Sequence, residues 1–245
     1  MIKKTVFLLV ACCVFCGQSV NAKNITLSYV DFPPYEFIDN GKPGGVLVTI
    51  VEMIFKKANI PLKLRFLPFK RAYVTTKEGG IDGLFNFYKT KERLKFFDYT
   101  ESVIKNPLVF FVRKDSLINF NKLEDLKGLK VGVMLGYTYG TNFDKSTLFI
   151  KEATNSHENN FKKLVAGRID TYLCDKLVGI HTAMKNNFMS ELKILPTPLK
   201  VMDGYIGFTK EKHQSIINRI NKVIIEMHQG GEIKKIINQY IEKNL

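Results

Sequence analysis

Gly80-Ile81-Asp82-Gly83-Leu84-Phe85-Asn86-Phe87-Tyr88-Lys89-Thr90-Lys91-Glu92-Arg93 is the stretch whose reading decides the fold. A Gly-Gly turn releases an apolar run, Leu84 to Tyr88, which reads as a strand. The sequence then turns polar at Lys89-Thr90 and presents a lone Arg93 just past the strand's end. Ligands of open α/β sheets collect at the carboxyl ends of strands. A guanidinium in that place can grip a carboxylate, because its planar donors match both oxygens. The same placement also suits a surface salt bridge, so the rest of the chain has to choose between them.

Upstream, Ile25 to Val30 alternates as a strand with Ile25, Leu27 and Tyr29 on one face. Asp31-Phe32-Pro33-Pro34-Tyr35-Glu36-Phe37 follows as a loop stiffened by two prolines, then a turn over 39–45. Val46, Leu47, Ile50, Val51, Ile54 and Phe55 recur at helical spacing, and that helix ends before Pro61. Leu62 to Phe66 reads as a strand and Pro68 to Thr76 as a short helix. This β-α-β-α-β alternation predicts a parallel α/β sheet.

Downstream, Leu108 to Val112 is a continuous apolar strand, after which the pattern restarts. A short helical turn over 123–130 precedes a strand at 131–134, and Gly136-Tyr137-Thr138 leads into a helix. Asn160, Phe161, Leu164 and Val165 mark another helix closed by Gly167. Strands over 169–174 and 192–195 flank a helix over 176–185. Tail helices cover 214–229 and 232–241. The chain reads as two α/β lobes, the first from 23–111 with 206–245 and the second from 112–205. They are joined by crossings near 111–115 and 200–207.

Residues 1–22 stand apart. Lys3 and Lys4 supply a positive head, Thr5 to Cys16 is apolar but short for a membrane span, and Val20 and Ala22 are small where a signal peptidase reads. A cleaved secretion signal is the expectation. A lipid anchor at Cys12, after Leu9-Val10-Ala11, is the alternative. Three of the four cysteines leave with that leader, so the mature chain keeps only Cys174 and forms no internal disulfide. Lys3 and Lys4 account for two of the +14 formal charges, leaving +12. The lysines are scattered, without a basic arm or nucleic-acid motif, and read as solvated helix faces. His157, His181, His213 and His228 form no ligand pair or triad, and no phosphate-binding glycine loop appears. No cofactor or metal is expected.

The order and spacing of several pieces resemble the polar amino acid binding proteins of ABC transporters, solute-binding family 3. These are Pro34-Tyr35-Glu36-Phe37, Gly79-Gly80-Ile81-Asp82-Gly83, Thr90-Lys91-Glu92-Arg93 with Phe97-Asp98-Tyr99-Thr100, Leu123 to Val133, Gly136-Tyr137-Thr138, and Ala166-Gly167-Arg168-Ile169-Asp170 followed by Asp175. The resemblance covers 24–245. It implies a two-lobe, type II periplasmic clamp, each lobe a mixed sheet flanked by helices, with two hinge crossings. It also implies a periplasmic monomer that delivers a small polar amino acid to an inner-membrane permease.

Residue by residue, the resemblance gives Arg93 the ligand carboxylate, with Thr138 helping at a helix N-terminus. It gives Asp175 the ammonium, sets Phe32 and Phe69 about the ligand body, and puts Asn86 and Tyr88 at its amino end. A zwitterion leaving water needs both charges matched, so binding from both lobes at once couples capture to closure. Asp175 also suits a helix cap and Phe69 the core, while Asp82, Asp98 and Asp170 read as turn or helix caps. Leu47 and Thr49, and the run Phe85 to Lys89, depart from the relatives and leave the ligand open. Some similar proteins are secreted cyclohexadienyl dehydratases, for which Glu36 or Glu101 would have to donate a proton, and a sensory role without a transporter is a third reading.

Overall fold

A computed structural model describes residues 24–244. The expected leader over 1–22 and its Cys12 lie outside the described residues. The first lobe opens with β1 (Ile25–Tyr29), the hairpin β2 (Phe37–Asp39) and β3 (Lys42–Gly44), and helix α1 (Val46–Lys57). It continues with β4 (Leu62–Phe66), α2 (Phe69–Lys77), β5 (Gly83–Phe87) and β6 (Phe97–Tyr99). Strand β7 (Ile104–Arg113) carries the chain into the second lobe. There β8 (Lys130–Met134), α3 (Thr141–Lys145), β9 (Ile150–Thr154), α4 (His157–Val165), β10 (Thr171–Asp175), α5 (Lys176–Lys185) and β11 (Leu192–Ile194) follow. Strand β12 (Lys200–Thr209) returns to the first lobe, which α6 (Gln214–Gln229) and α7 (Glu232–Asn244) complete.

The strands run in the order β4-β1-β5-β12-β7-β10-β8-β9, with β6 on β12 and β11 on β7. The alternation in the first lobe does produce parallel pairing, β1 with β4 and β5. The sheets are nevertheless mixed, because β12 pairs antiparallel with β5, β6 and β7. The stretch 200–207, expected as a crossing between lobes, lies within the strand β12. Lys200 to Gly204 pairs with β7, and from Tyr205 onward the partners are β5 and β6. One continuous strand therefore belongs to both lobes.

The cores follow the expected periodicities. Along β7, Phe110 and Val112 pack with Val131, Val133 and Phe143, whereas Val109 and Phe111 pack with Phe161, Tyr172 and Cys174 on the other face. That is the two-residue alternation of a strand covered on both sides. Earlier on the same strand, Ile104 belongs to the first lobe's core. In α6, Ile217, Ile220, Val223, Ile224 and Met227 are buried, each contributing about 1.5–3 kcal/mol.

Two backbone details position the site. Gly45, with φ 113°, opens α1 so close to the Phe32–Glu36 loop that a Cβ would lie 2.3 Å from the Tyr35 carbonyl oxygen. No other residue fits there. The Val46 and Leu47 N–H groups donate to the Pro34 and Tyr35 carbonyls at 3.0 and 2.8 Å, so the loop is fixed to the helix start. Asn86 takes φ 53° inside β5, where the register against β12 shifts between Tyr205 and Gly207. Such a bulge re-aims side chains, and asparagine is the residue other than glycine that best tolerates it.

Candidate functional site

Between the lobes lies a cavity of about 500 Å³, a size suited to a small-molecule ligand. Phe32, Phe69, Asn86, Tyr88, Thr138 and Asp175 all line it, brought together from five different segments of the chain. Its walls are predominantly aromatic and aliphatic, with Phe85, Leu108, Tyr137, Tyr139 and Met202 among them. Glu36 and His157 line it too, neither of which the sequence reading placed in a binding role.

Asp175 ends β10 and caps α5. Its Oδ1 accepts from the Leu177 and Val178 N–H groups, each at 3.0 Å, and from the Tyr35 hydroxyl at 2.8 Å. The cap reading and the cleft reading are therefore both satisfied by one residue, because the second oxygen, Oδ2, is buried without a partner. Burial pushes the carboxyl up to about 6, against the pull of Val178, Tyr35 and Leu177. The Tyr35 hydroxyl reaches across from the first lobe, so this bond joins the two halves.

Glu36 is fully buried. Its Oε2 accepts from the Val30 N–H at 3.3 Å, and its Oε1 has no hydrogen-bond partner. Burial holds the carboxyl well above the usual range, although the Val30 N–H and the nearby Asn86 amide favour the ionised form. Asn86 and Tyr88 are tied together by Asn106 of β7, whose Nδ2 donates to Asn86 Oδ1 at 3.1 Å and to Tyr88 Oη at 3.2 Å. Asn106 carried no motif. Only its place on an apolar strand, as a buried polar group needing partners, could have flagged it.

Thr138 donates through Oγ1 to Asp144, whose carboxylate also accepts from the Tyr139 and Gly140 N–H groups at 3.0 and 3.2 Å. The donors expected to meet an anion there are held by the protein's own carboxylate. His157 shares a short hydrogen bond from Nδ1 with Tyr172 Oη, and burial lowers its basicity, so it is neutral near pH 7. Phe32 stacks on Tyr35 with centroids 5.5 Å apart, and Phe69 is about half exposed at 47%.

Arg93 does not line the cavity. Its guanidinium lies over Phe87, 4.3 Å from the ring centroid, and Nη1 donates to the Tyr88 carbonyl at 2.9 Å. It is also 5.7 Å from the ring of Phe69, a wall residue, and so sits just behind the cavity's edge. Asp82, Asp98 and Asp170 accept from the backbone N–H groups of Thr26, Glu211 and Lys130 respectively, away from the cavity. Among the described residues, no group of three or more His, Cys, Asp or Glu is placed to hold a metal ion. None of the described helices is long and apolar enough to cross a membrane.

Known proteins share this construction. The second substrate-binding domain of a putative amino acid ABC transporter from Streptococcus pneumoniae superposes with a TM-score of 0.75 at 23% identity, covering 89% of this chain and 100% of that one. At that identity the likeness concerns the fold. The probable amino-acid-binding protein YxeM of Bacillus subtilis is 24% identical over 217 residues, 86% of this chain and 81% of its own. The arginine-binding extracellular protein ArtP of the same organism is 25% identical over 249 residues, 96% of each. The family model for bacterial extracellular solute-binding proteins, family 3, matches residues 25–243, and the chain belongs to that family.

Proposed function

We propose that the protein is a secreted, periplasmic solute-binding protein that captures a small amino acid or related zwitterion between its lobes. It acts as a monomer and presents the ligand to an ABC-type permease. One observation carries this reading: Asp175 lines the inter-lobe cavity with a buried carboxylate oxygen that lacks a donor. A ligand ammonium supplies that donor and the compensating charge together. Arg93 and Thr138 take the carboxylate, which requires Arg93 to turn from Phe87 toward the cavity and Thr138 to release Asp144 as the lobes close. A guanidinium has five donors, and one side-chain hydrogen bond, to the Tyr88 carbonyl, leaves the others for a ligand once it comes off the Phe87 ring. Phe32 and Phe69 sandwich the ligand body, while Asn86 and Tyr88 meet its amino end. The relatives named for amino acids and for arginine point the same way.

The dehydratase reading fits less well. Prephenate carries two carboxylates and no cation, so facing it with two wall carboxyls, Glu36 and Asp175, is electrostatically unfavourable; arogenate, which carries an ammonium, is separated by the test below. The reading is tested by a thermal-shift screen of the purified protein against the amino acids, followed by calorimetry on each hit, with prephenate and arogenate as controls. Micromolar or tighter binding of an amino acid without turnover of prephenate or arogenate supports it. Formation of the aromatic product from either replaces it with the enzyme.

A further inference from the structure

The Tyr35 hydroxyl of the first lobe donates to Asp175 Oδ1 of the second at 2.8 Å, and both residues are buried. The joint has an apolar surround. Leu177 and Val178, in the first turn of α5, are only 6% and 3% exposed and belong to the same cluster as Tyr35, Val46, Leu47 and Phe85 of the first lobe. A helix of one half thus begins inside the core of the other. Every atom of this joint is supplied by the chain itself.

Both partners of the bond are held in place. The Tyr35 N–H donates to the Phe32 carbonyl at 3.0 Å, and the Tyr35 carbonyl accepts from the Leu47 N–H at 2.8 Å. Its ring lies parallel to that of Phe32, with 10° between the planes. On the other side, the Leu177 and Val178 N–H groups fix Asp175 Oδ1. Neither partner can follow the other if the lobes part, and a hydrogen bond weakens steeply with distance and angle. The bond is therefore either made or broken as the halves move. Phenylalanine at 35 would fill the same space and stack the same way, so what the hydroxyl adds is the link to the second lobe. A hydroxyl donating to a carboxylate is among the stronger hydrogen bonds of proteins.

We propose that Tyr35 is a clasp whose hydroxyl holds the two lobes together through protein contacts alone. It is at the same time a positioning residue: by engaging Oδ1 from the opposite lobe it leaves Oδ2 of Asp175 for the cavity. The clasp does not depend on which ligand the cavity takes.

The test is the distance between nitroxides carried on p-acetylphenylalanine in place of Lys70 and Leu135, exposed residues near the wall residues Phe69 and Tyr137 of opposite lobes. Pulsed dipolar spectroscopy reads it on protein freed of ligand by unfolding, dialysis and refolding. With Tyr35 present, one short distance is expected to dominate. Tyr35→Phe is expected to raise the ratio of long to short distances about tenfold or more, the equilibrium worth of one charge-assisted hydrogen bond. Asp175→Asn, which keeps an acceptor, should raise it less. An unchanged distribution in Tyr35→Phe, even with a lower melting temperature, would overturn the clasp and leave the hydroxyl a purely structural role. A long distance dominating with Tyr35 present, or a larger shift in Asp175→Asn than in Tyr35→Phe, would overturn it as well. Should Tyr35→Phe fail to fold, Asp175→Ala removes the acceptor instead and carries the same tenfold expectation.

Discussion

Replacing Asp175 by Asn changes the charge and almost nothing else. The side chain retains an oxygen for the Leu177 and Val178 N–H groups and for the Tyr35 hydroxyl, so the α5 cap and the bond between the lobes persist. Two effects of opposite sign follow. An ammonium loses its buried counter-charge, at a cost of about 2–5 kcal/mol, or roughly 30-fold to several thousandfold in affinity. The ligand-free protein, however, becomes more stable at pH 7.5. Burial raises the native carboxyl from 3.8 to about 6, so its contribution to stability is complete below the unfolded value and is lost as pH rises through 6. That loss is on the order of 3 kcal/mol, and Asn does not suffer it. At about 2–4 °C per kcal/mol for a chain of this size, the unliganded variant should melt several degrees higher at pH 7.5. The difference should vanish below pH 4.

Calorimetry and thermal melts over pH 4–8, with amino acids and the corresponding carboxylic acids lacking the amine, measure both effects. Amino acids should lose far more affinity than the simple acids. Equal losses, or a lower ligand-free melting temperature at pH 7.5, would refute the assignment of Asp175 to an ammonium.

Two other outcomes are expected. Affinity for an amino acid should be about tenfold weaker at pH 5 than at pH 7.5. One unit below a pKa near 6, about a tenth of Asp175 is ionised, and the upward displacement of Glu36 acts in the same direction; titrations that are flat across this range would contradict it. Arg93→Ala should weaken amino acid binding at least tenfold and lower stability by no more than about 1 kcal/mol, the worth of its packing over Phe87. Unchanged affinity would exclude Arg93 from ligand binding.

Much of the framework was legible because the periodicities are strong. The helices over 176–185 and 214–229 fall where their spacing put them. The strand β9, with three of its five residues exposed, and the short β6 carry no strand signal, since their pairing is decided by distant neighbours. The turn over 39–45 proved to contain the β2–β3 pairing for the same reason. Six of the seven expected site residues converge on one cavity because they sit at strand ends and in the loops that follow. Arg93 also follows a strand, but its first attraction is to the ring of Phe87 and the Tyr88 carbonyl, which no motif encodes. Glu36 was visible only as a conceivable proton donor. Its complete burial, with one oxygen on the Val30 N–H and the other without a partner, is a three-dimensional fact.

The shared strand β12 dictates the kind of motion this molecule can have. Because its ladder to β7 ends at Gly204 and its ladder to β5 begins at Tyr205, any rotation of one half must be absorbed within a peptide or two. Gly204 is hemmed in there: an added Cβ would lie 2.9 Å from Ile104 Cγ2 and 3.0 Å from Asn86 Oδ1. The pivot therefore abuts a residue of the cavity wall, so that a twist of the backbone at the axle moves Asn86 directly, with no relay between them.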